Sequence, residues 1–276
     1  MVERDRVRDE RDVGAMSPVA LVTGAARGIG AATTELLVGQ GWSVVAVDAC
    51  SDDPVIPYAL ARREDLAALE ARHPGHVCAA VGDVRSQSDL DAAVSLAVAR
   101  FGRLDAAVGA AGVVAGGRPL WSIDDAEWDV LFDVNVIGVR RLAQAVVPLL
   151  LEADPPRQGR FVAVASAAGV LGLRRLGGYV ASKHAVIGIV RALAADLAGT
   201  GITANAVCPG STRTAILEAS ARVYGLESGE EFAAQQLIER LLEPAEPAAL
   251  IAWLCGQGSS GVTGAVLAVD GGMTTS

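Results

Sequence analysis

Short apolar runs alternate with longer stretches of helical periodicity along this chain. Val19–Val22, Ser43–Val47, Val77–Val81, Asp105–Ala110, Phe161–Ala165, Thr203–Val207 and Ala265–Val269 are brief and rich in Val and Ala, the pattern of strands buried on both faces. Helical patterns fill the gaps, from about Gly28 to Gly39, Arg62 to Ala71, Ser86 to Arg100, Asp124 to Leu151 (opening at an Asp cap), Gly178 to Ala198 and Ala245 to Cys255. Repeated strand–helix units predict an α/β fold with one doubly wound parallel sheet of about seven strands, right-handed crossovers and helices on both faces.

Two segments break the rhythm. Residues 49–60, with Pro54, Pro57 and Tyr58, insert between a strand and its helix. Residues 212–235 form a longer excursion after a strand end and are expected to be a lid over the substrate. Residues 1–15 are rich in Arg, Asp and Glu with no apolar face and read as a disordered tail, which makes Met16 an alternative start and 16–276 the catalytic domain.

Ligands on such sheets sit beyond the carboxyl ends of the strands, where strand order reverses. Gly24, Asp48, Asp83, Gly109, Ser166 and Pro209 all fall at or just after predicted strand ends, so the chemistry-bearing residues converge on one edge. The run Thr23-Gly24-Ala25-Ala26-Arg27-Gly28-Ile29-Gly30 lies directly between a strand and a helix. Its first glycine permits a tight turn. The later ones let backbone approach a pyrophosphate and let the helix present its N-terminus to the negative charge. Asp48, closing the second strand, is placed to accept hydrogen bonds from an adenosine ribose diol and would repel a 2′-phosphate, favouring NAD over NADP. Arg27 pulls the other way, with less weight. Asp83 and Val84 suit the adenine edge, although an Asp there also serves as a turn residue.

Tyr179 and Lys183 stand one helical turn apart, with Ser166 at the preceding strand end. A phenol titrates near ~10, and an ammonium at i+4 is expected to draw it down. Ser166 would hold a substrate oxygen while Tyr179 takes the hydroxyl proton and hydride leaves the carbinol carbon, or the reverse on a ketone or aldehyde.

Bulk composition narrows the partners. The chain has 276 residues, 51% hydrophobic, 20% charged and only 4% aromatic, with a formal net charge of −9. That balance argues against a nucleic-acid or anionic-membrane surface. No apolar stretch reaches membrane-spanning length without a polar interruption, and no signal-peptide pattern opens the chain. Cys50, Cys78, Cys208 and Cys255 are scattered without CxxC spacing, and His73, His76 and His184 lack ligand-like neighbours. Reduced thiols, a cytoplasmic location and no metal site are expected.

From Pro18 to Gly272 these features resemble the short-chain dehydrogenase/reductase family, with its Rossmann-type fold. Asn135 in Asp133-Val134-Asn135 matches the family's fourth catalytic residue, implying a water relay with Lys183. Pro209-Gly210-Ser211-Thr212-Arg213-Thr214 matches the segment that meets the nicotinamide carboxamide, which implicates Pro209, Gly210, Thr212 and Thr214. Val262-Thr263-Gly264 and Val269-Asp270-Gly271-Gly272 match the C-terminal signature. One departure stands out: the family's Asn-Asn-Ala-Gly is here Gly109-Ala110-Ala111-Gly112, where Ala111 and Gly112 border the cofactor. The change is expected to loosen the segment rather than alter the chemistry.

A finer resemblance is to mycofactocin-coupled members. It rests on Val47-Asp48-Ala49-Cys50 and the loop to Pro57-Tyr58-Ala59-Leu60, on Gly116-Gly117-Arg118-Pro119-Leu120-Trp121, and on Leu197-Ala198-Gly199-Thr200-Gly201. It implies NAD retained beneath the insertion and reoxidised in place by the peptide-derived carrier mycofactocin. The family resemblance also implies a homotetramer, or a dimer as second choice, paired through the two long helices. An apolar pocket from Val113, Val114, Leu173, Leu176, Ile216, Leu217 and Phe232 suggests a hydrophobic secondary alcohol. Arg174 and Arg175 read as solvated loop charges, with contact to an acidic group as the alternative. Two other functions stay open: an enzyme that exchanges NAD(P) freely, and a non-catalytic NAD-binding sensor.

Overall fold

The computed structural model describes residues 17–275; the expected tail and the alternative start at Met16 lie outside them. Seven strands form one parallel sheet: β1 (Val19–Thr23), β2 (Ser43–Asp48), β3 (Val77–Val81), β4 (Ala106–Gly109), β5 (Arg160–Val164), β6 (Thr203–Pro209) and β7 (Val266–Val269). Their order across the sheet is β3-β2-β1-β4-β5-β6-β7. Strand order therefore reverses between β1 and β4, whose in-register pairing runs from Ala20↔Ala106 to Thr23↔Gly109. A crevice at that reversal is where such sheets hold ligands.

The described residues form eight helices, most of them packed on the sheet: α1 (Gly28–Gly39), α2 (Arg63–Arg72), α3 (Gln87–Phe101), α4 (Asp125–Phe132), α5 (Gly138–Glu152), α6 (Gly177–Asp196), α7 (Ala215–Tyr224) and α8 (Ala245–Cys255). Side chains alternate between faces along each strand. Val19, Leu21, Val45 and Phe161 pack with Leu90, Leu142, Val146 and Val186 from α3, α5 and α6. Ala20, Val22, Val44 and Val162 pack with Leu37, Leu66, Ile251 and Leu254 from α1, α2 and α8. Both faces are buried, which is why the strands read as unbroken apolar runs.

Two expectations change in detail. The helix foreseen over 124–151 is interrupted: a π-turn over Asp133–Ile137 joins α4 to α5. The whole Asp125–Glu152 run is long and apolar enough, by length and composition, to cross a membrane. Here Val139, Leu142, Val146 and Leu150 pack it onto the sheet as a core helix. The lid over 212–235 is mostly structured, as α7 and a 3-10 turn over Gly229–Gln235. Thr214 opens α7 in extended conformation and Gly225 ends it in the left-handed region, at φ 70°.

Candidate functional site

A cavity of about 610 Å³ lies at the carboxyl edge of the sheet, over the β1–β4 reversal. The predicted cofactor residues all line it: Gly24, Arg27, Gly28, Ile29, Gly30, Asp48, Asp83, Val84, Ala111, Gly112, Pro209, Gly210, Thr212 and Thr214, with Tyr179 and Lys183. Ser166 lines it too. Asn135 is fully buried behind the wall and does not.

The glycine loop is built for close approach. Gly24 has φ 67°, and a Cβ there would come within 2.6 Å of the Ala111 backbone. At Gly30 a Cβ would collide with the Gly24 carbonyl oxygen. The N-terminus of α1 has no side-chain cap and no acidic residue in its first turn, so its orphan amides are open to an anion. Beside them the Asp48 carboxylate accepts from the amides of Ala26 at 3.1 Å and Cys50 at 3.2 Å. Amide donors for a pyrophosphate next to a ribose-facing carboxylate are the donor set of a dinucleotide, and this cradle fits NAD.

Arg27 lines the same cavity, and its Nη1 donates to the Ala59 carbonyl of the insertion at 3.0 Å. Asp83 is likewise engaged: its carboxylate accepts from Arg85 Nε at 2.9 Å and Nη2 at 2.7 Å. This guanidinium holds the Asp83 carboxyl below its usual range, against the opposing effect of burial. Arg85 Nη1 also reaches Asp53 at 2.8 Å, tying the turn after β3 to the insertion.

The insertion over 49–60 is a folded wall rather than a loose loop. Asp52 accepts from the Leu60 amide at 2.8 Å and pairs with Arg62 at 2.6 Å. Ile56 is buried, and Ile56, Tyr58 and Leu60 pack into the same apolar cluster as Val113, Val114, Leu176 and Tyr179. Sequence reasoning missed Arg85 and the reach of Tyr58. An Arg two residues after the Asp that ends a strand was the available signal for the first; nothing local signals the second.

At the reaction end, Ser166 leaves β5 and its Oγ accepts from the Ala168 amide at 3.1 Å, capping a 3-10 turn. Its hydroxyl lies on the Tyr179 side of the cavity and favours the phenolate. Tyr179 lies in the first turn of α6, and Lys183 follows on the same face, its Nζ 5.8 Å from the ring centroid. That ammonium donates to the Val164 carbonyl at 3.0 Å. The expected lowering of the phenol by Lys183 is not what the protein's own groups produce. Burial pushes Tyr179 up to about 12, against the Ser166 hydroxyl, and pulls Lys183 down to about 8. Burial is the largest cause at both groups.

The π-turn aims the Asn135 side chain at the segment after β4. Its Oδ1 accepts from the Val113 amide at 2.9 Å, and its Nδ2 donates to the Val113 carbonyl and the Ser182 hydroxyl, each at 3.0 Å. The segment Gly109-Ala110-Ala111-Gly112 leaves β4 beside β1. The amides of Ala110 and Ala111 donate to the Thr23 carbonyl and hydroxyl at 3.2 and 3.4 Å, so β1 holds the segment. Small residues are needed here, since a Cβ at Gly112 would lie 3.3 Å from both Asn135 Oδ1 and Lys183 Nζ.

Val113, Leu173, Leu176, Ile216, Leu217 and Phe232 form the apolar wall; Val114 lies outside it. The Tyr224 hydroxyl donates to the Arg174 carbonyl at 2.8 Å, and its ring meets Phe232 edge-on at 5.9 Å, closing the lid over this wall. Arg174 and Arg175 are solvent-exposed and off the cavity.

A family model described as enoyl-(acyl carrier protein) reductase matches residues 24–274. The chain belongs to the short-chain dehydrogenase/reductase family. It is 35% identical to an uncharacterised NAD-dependent oxidoreductase of Mycobacterium tuberculosis, over 92% of this chain and 94% of that one. Carveol dehydrogenase from Mycobacterium avium, solved with NAD, superposes with a TM-score of 0.88 at 30% identity, covering 94% of this chain and 98% of that one. Levodione reductase gives 0.85 at 29% identity, covering 95% and 100%. This oxidoreductase of the short-chain type thus shares its fold with NAD-bound neighbours, and the expectation of NAD agrees with its relatives and its cradle.

Proposed function

We propose that this oxidoreductase moves hydride between a hydrophobic secondary alcohol or ketone and NAD, and that it keeps its NAD bound for reoxidation in place by mycofactocin. NAD supplies the hydride acceptor for oxidation, or the donor for reduction. The chain's own residues do the rest. Gly24, Gly28, Ile29 and Gly30 receive the pyrophosphate, Asp48 the ribose, Asp83 and Val84 the adenine edge. Pro209, Gly210, Thr212 and Thr214, with Ala111 and Gly112, border the nicotinamide end. Ser166 holds the substrate oxygen, and Tyr179 exchanges the proton with it. A phenol held neutral by burial is the proton donor that ketone reduction requires. Oxidation requires Lys183 to favour the phenolate, and Asn135 braces the wall behind both.

One observation carries the retention reading: the insertion is bolted to the glycine loop, to the turn after β3 and to the segment after β4. A lid tied at three places slows release of what lies beneath it. The alcohol class is supported by the apolar wall and by neighbours named for carveol and levodione. We further propose a cytoplasmic homotetramer, supported by four free thiols and by small outward residues of α6, among them Ala181, Ala185 and exposed Gly188.

The test is to purify the protein without added cofactor, denature it, and quantify released nucleotide by chromatography and mass spectrometry. Near-stoichiometric NAD, with activity on artificial electron acceptors, is expected. Empty protein that reduces added NAD would leave an ordinary exchangeable dehydrogenase.

A further inference from the structure

The insertion leaves the sheet at the adenosine end, beside Asp48, and comes to rest at the reaction end. There the Tyr58 hydroxyl accepts from the Val114 amide at 3.1 Å. Val114 is 1% exposed, so water does not replace that bond. Its neighbour Val113 is clamped through both backbone groups by Asn135, which also donates to Ser182. The Ser182 hydroxyl in turn donates to the Tyr179 carbonyl at 2.8 Å. A continuous path of bonded groups thus joins Tyr58 to the helix that carries Tyr179.

We propose that Tyr58 is a positioning residue that couples the seating of the insertion to the substrate wall at Val113 and, through Asn135, to Tyr179. The proposal rests on the dehydrogenase reading of this cavity. Among the other polar ties of the insertion, Arg27 to Ala59 and Arg62 to Asp52 face solvent, where a single contact is weak, and Arg85 to Asp53 is part-buried at the turn after β3, away from the substrate wall. Tyr58 is the tie whose partner lies in a dry cluster. Without its hydroxyl, a buried N–H is stranded unless the segment shifts or the insertion lifts. Ile56 and Leu60, packed in the same cluster, move with it.

The test is Tyr58→Phe in the full chain, which keeps the ring and removes the acceptor. Amide hydrogen exchange is compared for peptides covering 111–116 and for the central strands. The NAD release rate is measured, with KM for the first alcohol turned over in a panel opened by carveol. Exchange at 113–115 and NAD release are each expected to quicken about tenfold, corresponding to one lost buried hydrogen bond of about 1.4 kcal/mol. KM should rise several-fold while the strand peptides keep their protection. Wild-type exchange at 113–115 with wild-type KM would overturn the proposal. Faster NAD release with both of these unchanged would reduce Tyr58 to a clamp on the insertion and overturn the coupling. Loss of protection across the sheet would assign it a merely structural role. Wild-type protein that purifies empty sinks retention alone, and the exchange and KM comparisons then judge Tyr58 unaided.

Discussion

Arg27 Nη1 donates to the Ala59 carbonyl at 3.0 Å, which ties the basic residue of the glycine loop to the insertion. Opposite it, the Asp48 carboxylate holds the loop through Ala26 and lines the cavity itself. Coenzyme choice is expected to fall to Asp48. Replacing Asp48 with Ala is expected to weaken NAD binding about tenfold or more and to narrow its advantage over NADP, since a charge-assisted hydrogen bond and a like-charge repulsion are both lost. Arg27→Ala should instead leave the NAD/NADP ratio within about twofold and quicken NAD release no more than a few-fold, since a single exposed tie is weak. Calorimetric titration with both nucleotides decides it; a change of preference in Arg27→Ala would reverse the assignment.

Tyr179 is 8% exposed and lines the cavity together with Ser166. Tyr179→Phe keeps the ring in its cluster and removes the group proposed to exchange the substrate proton. Turnover is expected to fall by about 10²–10⁴-fold, the range for a lost general acid–base, with the melting temperature within a few degrees of wild type. A variant that turns over normally would favour the NAD-binding sensor over the enzyme.

Much of this was legible in the sequence because local rules and tertiary structure agree. Each apolar run became a strand, since a sheet covered on both faces needs Val and Ala at every position. The glycines at 24, 28 and 30, Ser166, Tyr179 and Lys183 were readable because turns, strand ends and i+4 spacing are local. What escaped was long-range. Tyr58 meets Val114 across fifty-six positions, and Arg85 meets Asp53 across thirty-two. Helix α7 was missed for another reason: Leu217, Ala221 and Tyr224 recur at helical spacing between a Thr and a Gly, but the run is short. The burial that raises the Tyr179 phenol was not legible either, because depth of burial is a property of the packed cavity, not of the motif.

Asn135 makes three side-chain hydrogen bonds, two of them to Val113. Asn135→Ala leaves a buried amide and a buried carbonyl without partners and opens a hole beside the π-turn. Destabilisation of about 2–4 kcal/mol is expected from stranded buried polar groups, read as a lowered midpoint in urea. Asn135→Asp keeps the acceptor for the Val113 amide but sets a buried carboxylate oxygen against the Val113 carbonyl, and should destabilise at least as much as Ala. Stability unchanged in Asn135→Ala would mean that the segment after β4 is held by Thr23 alone.

Lys183 links the site to pH. Burial draws its ammonium from the ordinary 10.5 down to about 8 in the folded protein. Between these values the unfolded chain binds the proton that the folded chain has released, so stability rises with pH from about 8 toward 10. Below about 8 both states are protonated, and the folded state carries the full penalty of a dry ammonium eased only by the Val164 carbonyl. Tyr179 acts in the opposite sense and higher up: its phenol, raised to about 12, loses stability for the fold as pH climbs from about 10. Lys183→Met removes the first effect and leaves the second. In nucleotide-stripped protein, the variant is expected to be the more stable near pH 7, by up to about 3 kcal/mol if the full shift is expressed. The difference should vanish progressively as pH rises through 8 to 10. Denaturation midpoints at one-unit intervals from pH 6 to 10 would show it, and parallel curves for the two proteins would mean that the ammonium is solvated rather than dry.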